Sequence, residues 1–385
     1  MIKKVAILGS TGSIGLQTLE VIASQKDYFS VEVLTANQNA ALLIQQAKMF
    51  HPNVVVIGDE SQYPEVAEAL QDDGIKVYAG NEAVAQVTEM ESIDLVVMAV
   101  LGFDALKPVL AALKNKKPLA LANKEALVVA GDLIMQAAAK NRVPVIPIDS
   151  EHSAVFQCLM GEFDNPVEKV VLTASGGPFL TRSRETFPDI TPEEALHHPN
   201  WKMGAKTTVD SATLMNKGLE AIEAQWLFGL EVSQIEILIH PQSVIHSLVY
   251  FADGSVKALL SDTDMHIPIQ FAMSYPQRLK NNFQRLDLAA MGSLSFEKPD
   301  IKKFRNLALA FEAMKKGGNI PCILNAANEI AVEAFLEKQL GFMQIPSLIE
   351  KCMETIPFVR HPVLEDYIQT DSLCRIKTKE FIKNS

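Results

Sequence analysis

Two carboxylates two residues apart, Asp149 and Glu151, close the apolar run Val145-Ile-Pro-Ile148. In an extended chain residues i and i+2 face the same side, and two like charges held there favour a divalent cation between them. A third acid is offered by Asn216-Lys217-Gly218-Leu219-Glu220. On a helix Asn216 and Glu220 are four apart and Lys217 and Glu220 three apart, so all three share one face. Asp149, Glu151 and Glu220 supply oxygen only, which suits Mg²⁺ or Mn²⁺ rather than zinc. Glu223, one turn further on, is a rival ligand, and a solvated strand end beside an ordinary helix salt bridge is the plain alternative.

A second constellation opens the chain. Val5-Ala-Ile-Leu-Gly9-Ser-Thr-Gly12-Ser-Ile-Gly15 runs from a strand pattern straight into a helix pattern. Glycines there permit a tight turn and close approach of backbone N–H groups to phosphate oxygens, and the helix N-terminus favours a pyrophosphate. The spacing is G-x-x-G-x-x-G instead of the usual G-x-G-x-x-G. The end of the next strand reads Leu34-Thr-Ala-Asn37-Gln38-Asn39. A carboxylate at that tip would take a ribose 2′-hydroxyl. None is present, Glu32 lies too early, and amides can donate to a 2′-phosphate, so NADP is expected over NAD. No Arg or Lys stands at the tip to strengthen that preference.

Elements of two kinds are needed to position these residues. Up to residue 149, β-rich runs (Val5–Leu8, Val31–Leu34, Val54–Ile57, Lys76–Tyr78, Leu95–Ala99, Leu119–Ala122, Val143–Ile148) alternate with amphipathic stretches such as Leu16–Ala23 and Ala105–Leu113. That alternation predicts βαβ units and a doubly wound parallel sheet, Rossmann-like, as the cofactor domain. Residues 150–275 read as an α+β domain. It has an antiparallel sheet, a hairpin turn at Ala252-Asp-Gly-Ser255 and one long helix from about Ser211 to Phe228. Residues 276–304 read as a linker, and 305–385 as a C-terminal α-helical domain built as a small bundle.

Composition narrows the class. Of 385 residues 48% are hydrophobic and 21% charged, enough for large buried cores. The net charge of -11 argues against nucleic acid as a partner. The four cysteines, Cys158, Cys322, Cys352 and Cys374, form no Cys-x-x-Cys pair and read as reduced thiols. No signal peptide and no membrane span is evident, so the cytoplasm is expected.

Several segments together resemble one family. Gly9-Ser-Thr-Gly-Ser-Ile-Gly15, Ala122-Asn-Lys-Glu125, Asp149-Ser-Glu-His152, Thr173-Ala-Ser-Gly-Gly-Pro-Phe179, Asp210-Ser-Ala-Thr-Leu-Met-Asn-Lys-Gly-Leu-Glu220 and His240-Pro-Gln-Ser-Val-Ile-His246 look like the signature set of the 1-deoxy-D-xylulose 5-phosphate reductoisomerases. They occur in that family's order over residues 1 to about 275. The resemblance implies rearrangement of that sugar phosphate and reduction by NADPH to 2-C-methyl-D-erythritol 4-phosphate, a step of non-mevalonate isoprenoid synthesis. It also implies Mg²⁺, Mn²⁺ or Co²⁺ as the metal and a homodimer. By the same resemblance Thr11, Gly12, Ser13 and Ile14 meet the cofactor phosphates, and Gln38 and Asn39 lie at the 2′-phosphate beside Asn37. Asn123 and Glu125 touch NADPH, Lys124 reaches the substrate, and Asp149, Glu151 and Glu220 hold the metal. Ser150, Ser175, Ser211, Asn216 and Lys217 contact the substrate.

The segment Leu196-His-His-Pro-Asn-Trp-Lys-Met-Gly204 is implied to close over substrate, with His198 and Trp201 covering it and Gly204 near the nicotinamide. Excluding water from hydride transfer is the physical reason for such a lid. His240 is expected to be structural and Met265 to pack near the nicotinamide. Lys302, Lys303 and Arg305 are expected in a solvated turn. Two rival readings stand: another NADP oxidoreductase, such as a semialdehyde dehydrogenase, which needs an activated cysteine, or a silent NADP-binding protein.

Overall fold

The computed structural model describes residues 2–201 and 203–384, so Lys202 of the expected lid lies outside the described residues. The chain divides into two compact units. The first comprises Met1–Ala126, Ile134–Ser153 and Asp264–Gln284, the second Leu127–Leu133, Ala154–Thr263 and Arg285–Ser385.

The first unit carries β1 (Lys3–Leu8), α1 (Ser13–Ser24), β2 (Phe29–Ala36), α2 (Ala40–Phe50), β3 (Val54–Ile57), α3 (Tyr63–Leu70), β4 (Lys76–Ala79) and α4 (Asn81–Gln86). It continues through β5 (Leu95–Met98), α5 (Leu106–Lys114), β6 (Leu119–Leu121), the ends of α6 (Glu125–Asn141), β7 (Val145–Pro147) and the start of α7 (Ser150–Leu159). The strands form one sheet in the order β4-β3-β2-β1-β5-β6-β7, parallel throughout. Runs such as Val54-Val-Val-Ile57 and Leu95-Val-Val-Met98 are wholly buried, as a sheet covered on both faces requires. The order reverses between β1 and β5, and the ends of those two strands are where open α/β sheets receive ligands.

The second unit is built on β8 (Val167–Ala174), α8 (Pro192–Ala195), α9 (Ala205–Ala212), α10 (Met215–Phe228), β9 (Ile235–Ile239), β10 (Ile245–Phe251) and β11 (Val256–Leu260). Its sheet has the order β11-β10-β8-β9. The hairpin β10–β11 turns at Ala252–Ser255 as expected, and β10 pairs antiparallel with β8. β8 and β9, however, run parallel, so the sheet is mixed and not antiparallel. The return from β8 to β9 passes through α8, α9 and α10, a crossover long enough to bring the chain back in the same direction.

The long helix expected from Ser211 to Phe228 is two. α9 ends at Ala212, Leu214 adopts a left-handed φ of 59°, and α10 starts at Met215. Thr213 bridges the break: its hydroxyl donates to the Asp210 carbonyl at 3.1 Å and accepts from the Met215 N–H at 3.3 Å.

After β11 the chain makes α11 (His266–Ser274), which packs in the first unit, then α12 (Leu288–Met291). Within residues 276–304, Glu297 pairs antiparallel with Ile239 at the edge of β9. Helices α13 (Arg305–Lys316), α14 (Ile320–Leu336), α15 (Gln344–Thr355) and α16 (Leu364–Lys383) follow. They share one hydrophobic core with β8, β9 and α10. At its centre Phe342 meets Phe179 at 5.4 Å and Phe187 and Phe335 at 5.7 Å each. Edge-to-face contacts of this kind add to area burial. α10 and α13 approach closely because position 218 is glycine: a Cβ there would fall 2.5 Å from the Ala310 Cβ.

Lys303 is not a solvated turn residue. Its ammonium donates to the Leu180 carbonyl at 2.6 Å and lies over the rings of Phe187 and Phe304.

Candidate active site

The glycine loop stands at the end of β1. Gly9 has φ +91°, and a Cβ on it would lie 2.6 Å from the Ala99 carbonyl after β5. A Cβ on Gly15 would lie 2.3 Å from the Gly9 carbonyl, so this glycine lets α1 pack onto the turn. Gly12 differs. Its φ is -79°, and an added Cβ meets only Gly9 O at 3.5 Å, an ordinary contact. Nothing among the described residues demands glycine there. Gly12 is the N-cap of α1, no side chain caps that end and no acid lies in its first turn. The end keeps the positive potential and free donors that suit an anion.

At the tip of β2, Asn37, Gln38 and Asn39 are exposed. The Asn39 side-chain oxygen caps α2 by accepting from the Leu42 N–H at 3.2 Å, which turns its amide NH₂ outward as the group left for a ligand. Glu32 is buried and its carboxylate accepts from Asn53 at 2.7 Å and Ser92 at 2.6 Å, a structural role. Asn123 is similarly engaged. Its amide donates to the carbonyls of Val100 and Gly102 at 2.9 and 3.0 Å and accepts from the Ala126 N–H at 2.7 Å, tying the loop after β5 to the start of α6. It also donates to Glu125 at 3.2 Å.

Lys124 lies 2.5 Å from Asp149, both side chains less than one-sixth exposed. Asp149 and Glu151 do not share a strand face. β7 ends at Pro147, which lacks the N–H to continue a ladder, and Ser153 N donates to the Asp149 carbonyl at 2.8 Å, so the helix is already turning. The two acids sit at the mouth of α7, where the dipole favours negative charge. Ser150 donates to Glu151 at 2.6 Å.

In the second unit the expected helix face is present. Asn216 donates to one Glu220 oxygen at 2.6 Å and Lys217 to the other at 2.5 Å. Glu220 is 1% exposed, and Lys217 is buried with it. Ser175 follows β8, and Gly176 and Gly177 after it have φ of +89° and +68°. A Cβ on Gly177 would fall 2.6 Å from the Ser211 carbonyl, so this turn rests on the end of α9.

His198 reaches Ser175: its Nε2 is 3.0 Å from Oγ. The opposite nitrogen, Nδ1, accepts the backbone N–H groups of Asn200 and Trp201 at 3.1 and 2.9 Å. An acceptor Nδ1 places the proton on Nε2, so His198 donates to Ser175. Gly177 N also donates to that Oγ, at 3.2 Å. With both acceptor positions filled, the Ser175 hydroxyl is set to donate its own proton. Burial lowers the His198 pKa to about 4, which keeps the ring in this neutral form. The segment carrying His198 is tied to the loop after β9 through Asn200, whose amide donates to the Pro241 carbonyl at 2.6 Å and to Ser243 at 2.9 Å. Pro241 and Ser243 therefore hold Asn200 in place, a contact their sequence did not announce. Trp201 lies 6.4 Å from the ring of His246. Gly204 N-caps α9 with open space where a side chain would be. His240 is structural as expected, fully buried, bonded to the Ser295 carbonyl at 2.9 Å and stacked on Phe296. Met265 stands at the start of α11.

The sequence of this chain matches the family model for 1-deoxy-D-xylulose 5-phosphate reductoisomerase over residues 5–131, and the two models of that enzyme's C-terminal domains over residues 145–228 and 260–377. The chain belongs to the 1-deoxy-D-xylulose 5-phosphate reductoisomerase family. The reductoisomerase of Bacteroides thetaiotaomicron is 55% identical over 99% of this chain and 97% of its own length. That of Ruminiclostridium cellulolyticum is 49% identical over 99% and 100%. Among solved structures, the Zymomonas mobilis reductoisomerase in complex with NADPH superposes with a TM-score of 0.94 at 40% identity, covering all of both chains. A reductoisomerase in complex with NADPH, fosmidomycin and magnesium gives 0.94 at 38% identity, covering 99% of this chain and 98% of that one.

The rival cysteine chemistry has no support in this family member. Cys158 is buried in α7, and burial pushes its thiol up to about 11, the reverse of an activated nucleophile. All four cysteines are buried. Asp210, within the Asp210–Glu220 motif, is 1% exposed and paired with Lys206 at 2.9 Å. A carboxylate inside an otherwise small and hydroxylic stretch was the available signal.

Proposed function

We propose that this chain converts 1-deoxy-D-xylulose 5-phosphate to 2-C-methyl-D-erythritol 4-phosphate by skeletal rearrangement followed by reduction with NADPH. The observation that carries the reading is near-full-length identity of 55% to a reductoisomerase. Thr11, Gly12, Ser13 and Ile14 would receive the pyrophosphate at the uncapped end of α1, with Asn37, Gln38 and Asn39 around the 2′-phosphate. Asn123 and Glu125 shape the loop beside the cofactor, and Gly204 lies by the nicotinamide.

Asp149, Glu151 and Glu220 would hold a divalent cation, Mg²⁺ or Mn²⁺, with Co²⁺ as a substitute. The donor set fits: these three offer carboxylate oxygens, with Lys124 beside Asp149 and Lys217 beside Glu220. When bound, the cation polarises the substrate ketone and stabilises the oxyanion of the rearrangement. The chain's own groups do the rest. Lys124 and Lys217 hold charge beside the carboxylates, and Ser150 and Asn216 orient hydroxyls. Ser175 donates to the phosphate, with Ser211 beside it. His198 fixes the Ser175 proton, and with Trp201 excludes water.

Residues 1–149 would serve the cofactor, 150–275 catalysis, 276–304 a connection and 305–385 support. A homodimer in the cytoplasm completes the proposal. No described helix is long and apolar enough to cross a membrane. The edge strand β11 leaves Val256, Lys257 and Ala258 exposed, an edge that a second copy would cover. The deciding assay follows NADPH oxidation at ~340 nm, the nicotinamide absorbance, with the sugar phosphate, with and without Mg²⁺ or Mn²⁺. Metal-dependent turnover supports the reading. NADPH binding without turnover overturns it in favour of another substrate or a silent binder.

A further inference from the structure

α9 joins three parts of the proposed substrate site. The lid enters at its N-cap Gly204, Ser211 sits near its end, and the Ser175–Gly177 turn rests on the Ser211 carbonyl. Where α9 lies along its axis therefore sets both hydroxyls at once. The helix carries one acid, Asp210, and that acid is 1% exposed. A buried carboxylate must be compensated by charge or hydrogen bonds. Lys206, one turn earlier, supplies the charge at 2.9 Å from Oδ2, but its side chain is 29% exposed and belongs to the same helix. It neutralises Asp210 from within the same helix. The other oxygen, Oδ1, accepts from the Asn328 amide at 2.8 Å. Asn328 is fully buried on α14, which shares the core under the sheet.

We propose that Asn328, far along the chain from every other site residue, is a positioning residue: through Asp210 it sets the place of α9 and so the phosphate-binding pair Ser175 and Ser211. The inference rests on the substrate roles proposed above. Charge balance does not need the amide, because Lys206 already provides it. What the amide adds is direction, one short hydrogen bond from a rigid buried helix. A displacement of about 1 Å at a site residue is enough to cost tenfold or more.

The test compares Asn328→Ala, Asn328→Ser and the reversed pair Asp210→Asn with Asn328→Asp. KM is measured separately for the sugar phosphate and for NADPH, and inorganic phosphate is titrated calorimetrically into the NADPH-bound protein. In Asn328→Ala the sugar-phosphate KM should rise roughly tenfold and phosphate binding weaken in proportion, with the NADPH KM unchanged. The reversed pair restores the hydrogen bond but parts the carboxylate from Lys206, so it should recover a part of the phosphate-binding loss. A variant that merely packs less well would instead lose active fraction, lowering kcat with both KM values and phosphate binding unchanged; that result overturns the proposal. If Asn328→Ala does not fold, Asn328→Ser keeps a shorter donor and should show an intermediate rise. An unchanged KM in folded Asn328→Ser is equally fatal. Phosphate binding reads the pair even if wild-type turnover is absent, so failure of the function and failure of this link remain distinct.

Discussion

The glycines at positions 12 and 15 look alike in sequence and differ in what constrains them. Gly15 is hemmed by backbone, so Gly15→Ala should destabilise by about 3 kcal/mol or prevent folding, as a thermal melt would show. Gly12→Ala should melt with wild type but raise the NADPH KM severalfold; equal NADPH affinity would remove the ligand from our account of this glycine. Lys217 and Glu220 pose a charge question. Both are buried, and removing one partner of such a pair leaves an uncompensated ion, at about 3–5 kcal/mol. Lys217→Met should lose that much in denaturant unfolding, and the double variant with Glu220→Gln clearly less. If the two lose the same, the pair is not the source. The face shared by Asn216, Lys217 and Glu220 was legible because it is a local consequence of helical pitch. The grouping of Asp149 with Glu151 was foreseen for a wrong reason: Pro147 ends the strand and a helix mouth, not a pleat, brings them together. Nothing local to Asn39 showed that its oxygen caps α2, since capping depends on where the helix begins.

Among the elements, the segment carrying His198 has a pH dependence built into it. Burial of His198 against Ser175 lowers its pKa to about 4, against 6.5 for an exposed imidazole. A histidine with a lowered pKa resists protonation, so this burial is fully favoured above pH 6.5 and is lost as pH falls towards 4. Proteolysis within residues 196–204 should accelerate over that window, and His198→Asn should flatten the curve. A rate independent of pH in wild type would refute the tautomer assigned here. The seven parallel strands were readable because buried strands carry continuous apolar runs. The parallel pairing of β8 with β9 was not, because pairing direction is decided by a crossover of some sixty residues and not by either strand. The break at Leu214 was hidden as well, a leucine being an unexpected occupant of left-handed backbone. The many charges of α16 blur its apolar period, although Tyr367 and Cys374 are buried.

For the whole molecule, light scattering should give twice the 42.3 kDa chain mass, and Val256→Lys on the β11 edge should shift it towards one. A monomeric wild type would end the dimer proposal. Where the chain crosses between its units was beyond sequence reading: a linker was read from residue 276, whereas residues 264–284 belong to the first unit. Those residues return to the beginning of the chain. Lys3 donates to the Met273 carbonyl at 2.6 Å, Gln25 to Gln270 and to the Lys280 carbonyl, and Glu20 meets His266 at 2.6 Å. A ribosome adding about 5–20 residues per second therefore releases the start of the first unit on the order of ten seconds before the helix that completes it. A nascent chain of 150 residues has all seven strands and still lacks α11 against α1, so its cover must be borrowed, from a chaperone or from the tunnel mouth, until translation has passed residue 284.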